Sequence, residues 1–93
     1  MQHYYAVVEP DDAGGFWISF PDRDGITSAA ASAVEIVGQA QDALETALMY
    51  PPADLPLSIE DGAKPPTDLS DYEPRSIVVV IPFEPATMSK AAE

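Results

Sequence analysis

Carboxylates are the side chains in this sequence that could do chemistry. The chain has 16 Asp and Glu against four Lys and Arg, and its formal net charge is −12. Carboxylates clustered on central strands could hold two divalent metal ions, as in metal-dependent nucleases. Carboxylates on a surface could instead contact a basic protein. The five acids to which these two interpretations apply are Glu9, Asp11, Asp12, Asp22 and Asp24.

The sequence around these acids favours the surface interpretation. They are expected at strand ends and in turns, where Asp supports turn conformations. His3 is the single histidine and there is no cysteine, so neither a Cys/His metal site nor a thiolate nucleophile can form. Neither a Gly-x-Ser-x-Gly elbow nor a phosphate-binding Gly-x-x-x-x-Gly-Lys loop is present. We therefore predict no enzyme activity, metal, cofactor or small-molecule substrate, with a metal-dependent nuclease as the alternative.

The charge also restricts the class of partner. A strongly negative surface repels nucleic-acid phosphates and attracts basic proteins, although acidity can equally serve solubility alone. The N-terminus lacks the basic and apolar regions of a signal peptide, and no apolar run approaches the roughly 18 residues needed to span a bilayer. We expect no membrane association and a cytoplasmic location.

The N-terminal third predicts a β-hairpin. Residues 4–8 and 16–20 are rich in aromatic and β-branched side chains and are separated by a Gly-containing acidic segment. Alternation places Phe16, Ile18 and Phe20 on the core side and Trp17 on the opposite side. Trp17 is then either exposed, where tryptophan is typical of interfaces, or packed beneath residues 51–76.

The remaining elements complete an α+β pattern. A third strand is predicted over residues 26–30, and a capping box of Ser32 and Glu35 predicts a helix to about Met49. Residues 51–76, rich in proline, predict a loop with a possible edge strand at residues 55–59. Residues 77–81 are all β-branched, which predicts a central strand covered on both faces. After a helix crossover this strand is expected parallel to an earlier one and beside the first, which gives a mixed sheet. The predicted helix packs on one face of that sheet through Ala33, Val37, Ala40, Leu44 and Leu48, flanked by Ile36, Ala43 and Ala47.

The order of these features resembles the HicB antitoxin family over roughly residues 3–82. The resemblance implies a partial RNase-H-like fold of β-β-β-α-β order, with residues 1–83 as the toxin-binding domain. Residues 84–93 would begin an incomplete C-terminal extension or a linker to a DNA-binding segment. The chain departs from the family in its turn at residues 23–25, where a second proline is usual, and in its Ala-rich third strand. The motifs that carry the resemblance are Tyr4-Tyr5-Ala6-Val7-Val8-Glu9, Gly15-Phe16-Trp17-Ile18-Ser19-Phe20-Pro21-Asp22, Gly25, the Ala-rich helix and the later β-branched strand.

The resemblance also implies a function. Members of this family neutralise HicA, a small basic toxin that cleaves messenger RNA, and the expected mechanism is masking of the toxin's active or RNA-binding surface. Further copies of the chain are expected as partners. Operator DNA and transcription autoregulation would require a helix-turn-helix or ribbon-helix-helix segment beyond residue 93. The residues predicted to contact the toxin are Glu9, Asp11, Asp12, Trp17, Asp22 and Asp24.

Overall fold

Four strands and one α-helix make up the part of the chain that the computed structural model describes, which is residues 1–23, 25–49 and 55–84. The strands form one fully antiparallel sheet in the order β3-β2-β1-β4. The predicted α+β class and β-β-β-α-β order are confirmed. The elements are β1 (Gln2–Pro10), β2 (Phe16–Ser19), β3 (Thr27–Ala30), a 3-10 turn (Ala33–Glu35), α1 (Ile36–Met49) and β4 (Ile77–Phe83).

The predicted hairpin is present, and the geometry of its loop requires glycine at positions 14 and 15. The backbone N–H of Asp11 donates to the Gly15 carbonyl at 3.0 Å and closes the loop. Gly14 has a φ of +91°, which disfavours any residue other than glycine. A Cβ on Gly15 would lie 2.8 Å from the Ala30 carbonyl oxygen, so only glycine lets β3 approach the hairpin this closely.

The core lies between the sheet and α1, and the alternation predicted for β2 is confirmed. Ile18 and Phe20 are buried, and Phe16 packs against the same cluster while partly exposed. Tyr4 and Phe83 meet edge to face with ring centroids 6.4 Å apart. This face of the sheet also carries Ala6 and Val8 of β1 and Ile81 of β4.

The helix packs through a different stripe from the one predicted. Its buried residues are Ile36, Ala40, Leu44 and Ala47, whereas Val37 and Leu48 are 41% and 40% exposed. Both stripes have helical spacing and share Ala40 and Leu44, so periodicity alone could not choose between them.

The start of the helix also differs from the prediction. Ser32 is the N-cap, but it precedes a 3-10 turn and its side chain makes no hydrogen bond to the backbone. The Ser32 hydroxyl instead donates to the Glu35 carboxylate at 3.3 Å.

The predictions that β4 is central and parallel to an earlier strand are wrong. It pairs with β1 alone and antiparallel, from Gln2 opposite Phe83 to Val8 opposite Ile77, and forms an edge of the sheet. Pro82 lies within β4, and an edge strand tolerates the missing N–H. An all-β-branched run therefore did not indicate burial on both faces here, since Ile77 is 55% and Val80 47% exposed.

The path of the segment before β4 explains the antiparallel direction. Its early part lies at the start of β1, where the Ile59 N–H donates to the His3 carbonyl at 2.8 Å. Its late part lies at the end of β1, where the Glu73 N–H donates to Glu9 Oε2 at 3.0 Å. The segment thus runs the length of β1 before β4 begins, so β4 must run back. The possible strand at residues 55–59 is not formed.

The same segment covers part of the second sheet face. The side chains of His3 and Glu9 lie on the face opposite α1, because both alternate with the core residues of β1. The segment joins these two positions and therefore crosses that face. Val7, which lies between them on the same face, is fully buried although it is not part of the core against α1.

Candidate protein-binding surface

On the sheet face opposite α1, the part around Trp17 is exposed to solvent. Trp17 lies on it and is 57% exposed, which settles the two alternatives left by the sequence in favour of exposure. Its cross-strand neighbours are Glu9 on β1 and Ala29 on β3. Thr27 and Ala29 are exposed on the same face. We call Trp17, Thr27 and Ala29 the tryptophan surface.

Three of the acids predicted to meet a partner have a structural role in the fold. Asp11 Oδ1 accepts hydrogen bonds from the backbone N–H groups of Ala13 and Gly15, at 2.8 and 2.9 Å. Asp22 Oδ2 accepts from the Leu57 N–H at 2.6 Å. Glu9 also accepts a backbone N–H and is partly buried beside Trp17. Each of these acids anchors a loop, and each still contributes negative charge when ionised.

The predicted acids do not form one rim around Trp17. Asp11 and Asp12 lie in the loop before β2, whereas Asp22 follows β2 at its other end. Asp12 is exposed. The pKa of Arg75 is raised mainly by its hydrogen bond to Glu73, and the charge of Asp12 adds a smaller effect. Asp24 lies outside the described residues. Of the predicted acids within the described residues, only Glu9 lies directly opposite Trp17 in the sheet.

We expect Asp11 and its neighbour Asp12 to differ sharply when each is replaced with alanine. Asp11→Ala removes the acceptor of two loop N–H groups and should lower the free energy of unfolding by about 1–2 kcal/mol. Asp12→Ala is the matched control and should change it by less than about 0.5 kcal/mol, as is usual for exposed positions. Urea denaturation of both variants measures the difference. Equal stabilities would show that the Asp11 hydrogen bonds do not hold the loop.

Two adjacent carboxylates, Glu60 and Asp61, fix the segment that crosses the sheet. The His3 backbone N–H donates to Glu60 Oε1 at 2.8 Å, and His3 Nδ1 lies 2.6 Å from Glu60 Oε2. These hydrogen bonds from the side chain and backbone of His3 lower the pKa of Glu60 to about 2. Asp61, beside Glu60, accepts from the Ser58 hydroxyl at 2.8 Å.

Replacing Glu60 with glutamine should destabilise the protein in a pH-dependent way. The pKa of Glu60 is lower in the folded state than its usual value of 4.5. The ionised carboxylate therefore contributes fully to folding stability above pH 4.5, and this contribution is lost as pH falls towards about 2. The melting temperature of Glu60→Gln should therefore lie below that of the parent at neutral pH, and the gap should close on acidification. Asp42→Asn, at an exposed helix position, is the control. A gap that is constant with pH would contradict the assignment.

The described residues do not form a metal site. Among residues 1–23, 25–49 and 55–84, no group of three or more His, Asp or Glu side chains is arranged to hold a metal ion. The carboxylates of Glu9, Asp11 and Asp22 are instead taken up by separate backbone N–H groups. Within the same ranges, no helix is long and apolar enough to cross a membrane.

The exposure of the apolar residues Ile77 and Val80 does not follow from the sequence pattern. Ile77 and Val80 belong to a run that looks buried, and only the pairing of β4 shows that they lie at an edge. Thr27 and Ala29 were missed because small side chains carry no interface signal of their own. The alternation that placed Trp17 outside could have placed them beside it if the register of β3 had been known.

Comparison with known proteins gives one informative match. No protein-family model and no curated protein matches the chain. A chain of the solved HicA3 and HicB3 toxin-antitoxin complex is similar to it, with a TM-score of 0.59 and 25% sequence identity. The alignment covers 89% of this chain and 99% of that chain. The likeness supports a toxin-antitoxin relation.

Proposed function

We propose that the protein is a HicB-like antitoxin with a partial RNase-H-like fold, which acts in the cytoplasm and neutralises a small basic HicA-type toxin. The observation that carries the proposal is its similarity to a chain of the HicA3 and HicB3 complex over 89% of its length. The sequence resemblance to the HicB family, found independently in the hairpin and the later strand, points to the same component of such a pair.

The net charge favours the antitoxin over the toxin. A protein that cleaves messenger RNA must approach phosphates, and a net charge of −12 opposes that approach. The same charge accelerates encounter with a basic partner and makes the association sensitive to salt. The proposal therefore includes no enzyme activity, and in the described residues no observation favours the nuclease alternative.

The tryptophan surface is the proposed centre of the toxin contact. Trp17 offers a large side chain that can be buried on binding. The exposed side chains of Thr27 and Ala29 beside it are small, so a partner can reach the indole ring. Asp12 lies in the loop that precedes β2 and can meet cations at the periphery. We infer that the antitoxin covers the toxin's active or RNA-binding surface and performs no chemistry itself. Self-association of the antitoxin belongs to the proposal as well.

Co-expression with the small basic protein encoded beside this chain tests the proposal. We expect that protein alone to arrest growth, and co-expression to restore growth and yield a complex in size-exclusion chromatography. The complex should weaken as salt is raised, because screening reduces attraction between opposite charges. Continued growth arrest together with separate elution would overturn the proposed function.

A further inference from the structure

The outer edge of β4 has an unusual hydrogen-bonding pattern that can be derived from its register. In an antiparallel pair, hydrogen-bonded and non-hydrogen-bonded residue pairs alternate. The N–H of His3 donates to Glu60 and its carbonyl accepts from the Ile59 N–H, so neither group bonds to β4. His3 and its partner Pro82 are therefore a non-hydrogen-bonded pair.

The alternation fixes the direction of the other backbone groups. Two residues along, Tyr5 and Val80 form the next non-hydrogen-bonded pair, followed by Val7 and Val78. The N–H and carbonyl groups of Val78 and Val80 consequently point away from β1, to the open side of the sheet. In the described part of the chain, no residue accepts from or donates to them.

Both ends of this open stretch are closed. At one end the Ser76 N–H is already used, since it donates to the Glu73 carbonyl at 2.9 Å. At the other end Pro82 has no N–H, and its carbonyl accepts from Gln41 Nε2 at 2.7 Å. The edge therefore offers a short window of two donors and two acceptors, on Val78 and Val80.

We propose that this window pairs with the same window of a second copy of the chain, as an antiparallel β4–β4 ribbon centred on Val79. In this register Val78 of one copy faces Val80 of the other, twice, and each of these two pairs makes two N–H···O=C bonds. A register shifted in either direction would need the Ser76 N–H or the groups of Pro82, which are used or missing. Pairing also covers the exposed Val80 and Ile77.

The charge of the strand selects a second copy over a basic partner. Ile77–Phe83 contains no charged residue, so the strand itself offers no carboxylate to a basic toxin. The proposal specifies the self-association included in the proposed function, but it does not depend on toxin binding. The two associations should respond to salt in opposite directions: added salt screens the repulsion between copies of net charge −12 and strengthens the dimer.

Single cysteines test the register, because the natural chain has none. Val79→Cys places its Cα about 4.5 Å from that of the symmetry-related residue, within reach of a disulfide. Val80→Cys separates the two Cα atoms by more than about 8 Å, beyond the roughly 7 Å limit. Under mild oxidation without toxin, Val79→Cys should give mostly covalent dimer and Val80→Cys at least about tenfold less at equal concentration. Equal cross-linking, or none by Val79→Cys, would overturn the proposal, particularly as Val80 is the more exposed residue.

A charge substitution tests the edge itself. Val80→Lys should shift the chain to monomer in sedimentation measurements, whereas Val34→Lys, the same change at a 92% exposed position in the 3-10 turn before α1, should leave the dimer intact. A monomeric parent, or a dimer unaffected by Val80→Lys, would overturn the proposal. Loss of toxin binding by Val80→Lys with the dimer retained would assign the edge to the toxin instead. Because dimerisation is measured without toxin, its failure leaves the growth-rescue result unaffected.

Discussion

Trp17→Ala is expected to weaken toxin binding about 30-fold or more, which corresponds to about 2 kcal/mol, while leaving the fold intact. The indole is 57% exposed in the free protein, so its removal takes little from the core. In a complex it would be desolvated at the centre of the contact, where aromatic side chains contribute most. Isothermal titration with the purified toxin measures the change, and circular dichroism checks the fold.

Val34→Ala is the control for this prediction. Val34 is 92% exposed in the 3-10 turn before α1, away from the tryptophan surface, and its removal should leave affinity unchanged. If Trp17→Ala binds as tightly as the parent, the toxin contact lies elsewhere on the protein. If both variants lose affinity, the effect is not specific to the tryptophan surface.

Leu44→Ala should cause one of the largest losses of stability available to this protein. Leu44 is completely buried at the centre of the helix face that packs on the sheet. Removing its side chain loses burial and leaves a cavity, at a cost of about 2–5 kcal/mol. A domain of this size has a total stability on the order of 5–15 kcal/mol, so much of the margin disappears. Chemical denaturation monitored by tryptophan fluorescence gives the value.

Leu48→Ala is the matched control, because it makes the same change one helical turn later. Leu48 is 40% exposed, and its truncation should cost less than about 1 kcal/mol. The pair also tests the orientation of α1, since the stripe predicted from sequence would bury both leucines. Similar losses from the two variants would show that the helix packs through that stripe and not through Ile36 and Ala47.

Local pattern was sufficient for the elements of the fold but not for their arrangement. Period-two alternation and the Gly-containing loop predicted the hairpin and the outward position of Trp17, because both depend on residues close in sequence. The edge position of β4 depends on how the segment before it crosses the sheet, which is fixed by hydrogen bonds between residues far apart, such as Glu73 and Glu9. No local pattern contains that information.

In the candidate surface, too, some features follow from local sequence and others depend on contacts between distant residues. Trp17 follows from alternation alone. Acids in loops look free in a sequence, which favours Asp11 and Asp22 as partner contacts. In the structure they accept backbone hydrogen bonds from Gly15 and Leu57. The negative charge remains on the surface in both interpretations. What changes is that the hydrogen-bonded acids have a structural role to which any binding role is added.

Titration of the toxin's RNA cleavage with this protein tests the central claim most directly. Purified basic toxin is incubated with messenger RNA and increasing amounts of the chain, and RNA length is followed. If the chain is an antitoxin that masks the toxin, cleavage should fall to background near stoichiometric addition, and the chain alone should leave RNA intact. Undiminished cleavage at excess chain, or metal-dependent cleavage by the chain itself, would contradict the account.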